Sequence, residues 1–143
     1  MKSLFGLILL CAASVASAAE ISPFSASFTV SRNGDALGHM KMQLSRSGEN
    51  EWSFVSRTEG EKGLAGFLGV TIEERSRLIV DKNGFSSVGY GYQQKMVGRN
   101  RKRELTRDAD GSIRESDGDD SWNYSVPGPM FDRHSVVIGI AQH

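Results

Sequence analysis

The apolar residues of this chain recur with a period of two, and that spacing decides what it can fold into. Phe24, Ala26, Phe28 and Val30 alternate with Ser25, Ser27, Thr29 and Ser31. Met40, Met42 and Leu44 alternate with Lys41 and Gln43, and Trp52 and Phe54 continue the pattern. Val70-Ile72, Leu78-Val80, Val88-Tyr90-Tyr92 and Trp122-Tyr124-Val126 repeat it. Successive side chains on a strand point to opposite faces, so each segment reads as a strand with one buried and one wet face. Turn signals separate the segments: Asn33-Gly34, Ser47-Gly48-Glu49-Asn50, Lys82-Asn83-Gly84, Asp110-Gly111 and Asp117-Gly118. Asn-Gly and Asp-Gly tolerate the positive φ of tight hairpins. The expected fold is mainly β, an antiparallel meander.

Two stretches depart from this rule. Between Lys62 and Gly69 the apolar residues Leu64, Phe67 and Leu68 fall at helical spacing, with Gly at both ends. That predicts a short helical insert. Near the end, Pro127 and Pro129 mark a loop, and Asp132 is placed to cap a helix over Arg133 to Gln142. Val136, Val137 and Ile140 share one side of that helix, an apolar side that must be covered.

The N-terminus carries a different message. Met1-Lys2-Ser3 is a short basic start, Leu4 to Val15 is an apolar run, and Ala16-Ser17-Ala18-Ala19 supplies small residues at a peptidase spacing. This is the three-part pattern of a secretory signal peptide over residues 1–19. The run is too short for a comfortable membrane span. Leu10 stands before Cys11, where lipidation needs a small residue, so Cys11 reads as part of the apolar run. The expected location is periplasmic or secreted, with residues 20–143 forming one β-rich domain and no membrane span in the mature chain. That domain has no cysteine, hence no disulfide, thiolate nucleophile or Cys metal site. Taking Lys2 from the 17 basic residues leaves 16 Lys+Arg against 17 Asp+Glu. Near-neutral charge and an extracytoplasmic location argue against nucleic acid as a partner.

Several of these residues resemble a known family. The spacing Phe24-x3-Phe28-x-Val30-x3-Gly34-x3-Gly38 is similar to the opening strand and turn of the domain-of-unknown-function family 3108. The segment from Ser56 to Gly69, the Glu74-Arg75-Ser76 strand, the aromatic Tyr90 strand and Asp132-x2-Ser135 extend the resemblance from Phe24 to about Gln142. It implies a secreted β-rich protein of Gram-negative bacteria whose sheet curls into an open barrel or spiral. It supplies no catalytic residues. Members similar to this chain continue past the Asp-x2-Ser helix with further strands. The expectation is therefore a C-terminally truncated copy, marginally stable or self-associating through an unpaired sheet edge.

Candidate sites follow from residue type and spacing. Arg99, Arg101 and Arg103 project to one face of a strand and could grip phosphates or carboxylates; otherwise they form a solvated face or charged edge. Leu64, Phe67 and Leu68 could form a lid over the open end of a curled sheet, or a plug that closes the core. Met40, Met42 and Met96 could line an adaptable pocket or fill the core. Asp108-x-Asp110-Gly111 and Asp117-Gly118-Asp119-Asp120 lack EF-hand spacing and read as turns. His39, His134 and His143 do not sit at zinc-ligand spacing, so no metal and no cofactor are expected. Asp132, His134 and Ser135 lie close together, but there is no Gly-x-Ser-x-Gly elbow, and no catalytic residue is assigned.

The leading expectation is a soluble, non-catalytic binding or scaffold protein in envelope maintenance, with an apolar or amphipathic ligand and a lipid or other envelope component as partner. The alternatives are a hydrolase acting on envelope substrates, or a truncated relative with little independent function.

Overall fold

The structure, a computed structural model, describes residues 22–81 and 84–141. The signal-peptide pattern, Cys11, Lys82, Asn83 and His143 lie outside the described residues, as does the side chain of Leu64.

Eight strands follow one another in space as they do in sequence: β1 (Phe24–Arg32), β2 (Asp35–Arg46), β3 (Glu51–Gly60), β4 (Thr71–Asp81), β5 (Gly84–Met96), β6 (Arg99–Arg107), β7 (Ser112–Asp117) and β8 (Asp120–Ser125). All pairs are antiparallel. The sheet stays open, with β1 and β8 as its two edges, and is not a closed barrel. The helical insert forms as α1 (Gly63–Phe67), and α2 (Val136–Ile140) lies near the C-terminus.

The period-two pattern translates directly into one inner face. Register aligns Phe24, Leu44, Phe54, Ser76, Tyr90, Leu105 and Glu115 across seven strands. Leu44, Trp52, Phe54, Leu78 and Phe85 make the buried core, with Met42 and Val80 packed against it. The opposite face carries Lys41, Gln43, Arg57, Glu73, Arg75 and Arg77, consistent with the alternation. A bulge between Arg77 and Leu78 opposes the extra residue Val88 in β5. The extra residue lets Ser87 and Tyr90 share the inner face although they are three positions apart.

The C-terminal segment closes this face with a helix shorter than the run expected from Arg133 to Gln142. Residues 133–135 form a turn, and α2 begins only at Val136 with Ser135 as N-cap. Asp132 caps this run as expected: its carboxylate accepts the backbone N–H groups of His134 and Ser135, each at 2.9 Å, Ser135 Oγ accepts the Asp132 N–H at 3.1 Å, and the Asp132 carbonyl accepts the Val136 N–H at 3.1 Å. Positions four apart share a helix face, so Ile138 follows His134 into the core. Val136, Val137 and Ile140 are consequently exposed, Ile140 by 71 %. The apolar side expected to be covered thus faces outward, and Ile138 is the residue that completes the core.

Candidate functional site

Residues 126–132 run across the inner face as a strap, held by main-chain and side-chain bonds. Val126 N–H donates to Gly111 O at 3.1 Å, and Ser87 N–H donates to Met130 O at 2.7 Å. Met130 N–H donates to Ser86 Oγ at 3.1 Å. Arg107, on the inner side of β6, donates through Nη2 to the carbonyls of Val126 (3.1 Å) and Gly128 (2.7 Å). An Arg at this inward position would be costly in a dry core. Here it replaces the strand pairing that a proline-containing strap lacks.

Beyond the strap is a buried polar cluster that ties sheet to C-terminus. Asp132 Oδ1 accepts the Ser76 hydroxyl at 2.9 Å, and Oδ2 accepts the Ser87 hydroxyl at 2.6 Å. His134 Nδ1 lies 2.9 Å from Ser76 Oγ. A hydroxyl has one proton, and giving it to the carboxylate leaves Ser76 Oγ to accept from an Nδ1-protonated imidazole. That tautomer leaves Nε2 as a buried atom without a partner. Burial holds the His134 pKa below its ordinary value, more than offsetting the pull of Glu74 and Asp132. The ring also stacks on Phe54.

Between strap and sheet lies a cleft of about 340 Å³. Tyr90, Leu105, Ile113 and Tyr124 form its floor, and Val126, Met130 and Phe131 its wall. The charged residues at its rim are already partnered. Arg133 donates through Nη2 to Glu74 Oε1 at 2.7 Å and lies 4.9 Å from the centre of the Tyr92 ring. Tyr90 OH donates to the same Glu74 oxygen at 2.7 Å, and burial pushes its pKa up. Tyr124 OH donates to Glu115 at 2.9 Å. With its charges satisfied, the cleft offers apolar and aromatic surface to a ligand.

Arg101 and Arg103 do share the inner face of β6, as period-two geometry requires. Both bind Asp117 on β7: Arg101 Nη2 at 2.6 Å and Arg103 through Nε at 3.2 Å. These two guanidinium groups hold the Asp117 carboxyl well below the usual carboxylate range. Arg99, near the β5–β6 turn, has no such partner among the described residues.

The apolar candidates separate. Met42 packs on the core, and Met40 sits one row further along the inner face opposite Phe28. Phe67 is 83 % exposed, and Leu68 is half-buried. None of these four lines the cleft. Sequence reasoning missed Ser76, Ser87, Leu105, Ile113 and Phe131. Ser76 carried one signal, a small polar residue at the inward parity of Leu78.

A second hollow, about 400 Å³, lies on the outer face above Gly89 and Gly91, flanked by Arg75, Arg77, Lys102 and Glu104. Among the described residues no three His, Cys, Asp or Glu side chains group to hold a metal ion. No helix of the described residues is long and apolar enough to cross a membrane.

The family profile described as protein of unknown function (DUF3108) matches residues 24–140, which spans β1 through α2. The chain belongs to the DUF3108 family. No curated protein and no solved structure matches it. In this DUF3108 chain the matched region thus takes in both the strap and the polar cluster.

Proposed function

We propose that this chain is a non-catalytic binding protein of the bacterial envelope, exported by the signal-peptide pattern at residues 1–19, with an apolar or amphipathic ligand. The observation that carries this reading is the inner-face cleft, whose floor and wall are apolar and aromatic while its rim charges are internally paired. Ligand pockets commonly combine such an apolar lining with a few oriented polar groups. An acyl or similar chain would lie against Leu105 and Phe131, with a polar end toward Arg133 and Tyr124.

The hydrolase reading has one observation in its favour, the meeting of Ser76, Asp132 and His134. Its geometry speaks for a structural lock instead. Ser76 is 0 % exposed, and its hydroxyl bridges acid and imidazole instead of standing at the free end of a Ser–His–Asp relay.

Titration of the exported protein with a fluorescent fatty-acid probe tests the binding reading. Leu105→Trp should fill the cleft and weaken probe binding about tenfold or more. Unchanged binding in that variant, or none in the parent, would refute the assignment.

A further inference from the structure

The strands' alternating turns place the β3–β4 connection and the β5–β6 hairpin at the same end of the sheet. There Val97 N–H donates to Leu68 O at 2.9 Å, which fastens the two loops side by side. Each loop presents an apolar side chain to solvent: Phe67 is 83 % exposed and Val97 71 %. Among the described residues these are two of the most exposed large apolar groups, and packing does not explain them. Gly69 and Gly98, at φ 58° and 75°, turn the chain sharply beside them.

Basic residues flank these two tips along the chain. Lys95 and Arg99 lie two positions before and after Val97, and Lys62 opens the α1 turn. None of the three has an acidic partner among the described residues. The adjacent acid Glu61 faces His39 at 3.2 Å, while Glu73 is engaged by Arg57 and Arg75. Asp35, Asp119 and Asp120 belong to the flanking hairpins. Apolar tips with unpaired cations beside them in the same loops are what an anionic bilayer surface complements: the tips enter the headgroup boundary and the cations meet lipid phosphates.

We propose that this end of the sheet docks on an anionic lipid surface through Phe67 and Val97, with Lys62, Lys95 and Arg99 meeting the headgroups. The proposal is independent of the cleft, which none of these five residues lines.

Co-sedimentation of the exported protein, its mature N-terminus verified by intact mass, with vesicles tests it. Vesicles containing phosphatidylglycerol should bind it, and vesicles of phosphatidylcholine alone should bind it weakly. Phe67→Ser with Val97→Ser should lower binding to the anionic vesicles at least tenfold. Lys62→Gln, Lys95→Gln and Arg99→Gln should each lower it about fivefold at low salt. All five side chains are solvent-facing, and an unchanged melting temperature would show that the variants fold. Equal vesicle binding by parent and tip variant would overturn the proposal, as would no binding by the parent. Leu105→Trp serves as the separate control for the cleft: it should weaken probe binding about tenfold or more and leave vesicle binding unchanged.

Discussion

The imidazole of His134 lies flat on the ring of Phe54, with centroids 4.2 Å apart and an interplanar angle of 13°. One residue thereby joins the apolar core to the polar cluster, because the same ring meets Ser76 through Nδ1. His134→Ala would open a void over Phe54 and leave Ser76 with one partner fewer. The expected loss is about 2–4 kcal/mol, measurable by urea denaturation. Stability within a few tenths of the parent would contradict this account of the cluster.

The same residue gives the fold a pH dependence of definite sign. His134 has a lowered pKa in the folded state, so the unfolded chain binds more protons as pH falls. Its contribution to stability is complete above the ordinary value of about 6.5 and is lost as pH falls through the lowered value. The urea midpoint should therefore drop between neutral and mildly acid pH. In His134→Gln that drop should shrink.

Asp117 makes an electrostatic prediction about the arginines. It accepts from both Arg101 and Arg103, so two of the three candidate arginines Arg99, Arg101 and Arg103 are neutralised locally. Asp117→Asn should free them and move elution from a cation-exchange column to higher salt than the loss of one negative charge elsewhere does. Asp119→Asn, which removes the same charge from the neighbouring turn, is the control. Identical elution of the two variants would count against the pairing.

Gly139 is a steric prediction. A Cβ built there would stand 2.8 Å from the tip of the Phe131 ring, so a side chain at this position must displace that ring of the strap. Gly139→Ala should force the ring and α2 apart and cost about 1–3 kcal/mol. It should also raise hydrogen exchange at Ser87 N–H, which donates to the strap. A stabilised variant would show that the ring gives way freely.

Much of the sheet was legible because a strand writes its faces into a period of two. Phe54, Leu78 and Tyr90 fall on the inner face as their alternation requires. The site was less legible because its parts come from distant segments that meet by register. Ser76 and Ser87 join Asp132 only through strand pairing and the extra residue Val88. No local pattern announces that. The cap at Asp132 was legible because a short carboxylate before an apolar run satisfies the free N–H groups of a first turn. The regular helix itself comes only at Val136, after a turn over residues 133–135. The arginines on β6 showed their common face, but not the Asp117 that faces them from the next strand.

Ile138 also has a consequence in time. It seals a core whose other members lie between Leu44 and Phe85, so a chain emerging from its N-terminus holds that core open until the strap follows. Contacts between such distant segments are slow to close. A chain still being synthesised is therefore unable to finish folding before its last segment appears. A chain shortened before Pro127 should lose its cooperative melt and bind a hydrophobic dye, whereas a sharp transition in that shortened chain would show that the sheet is sealed without its last segment.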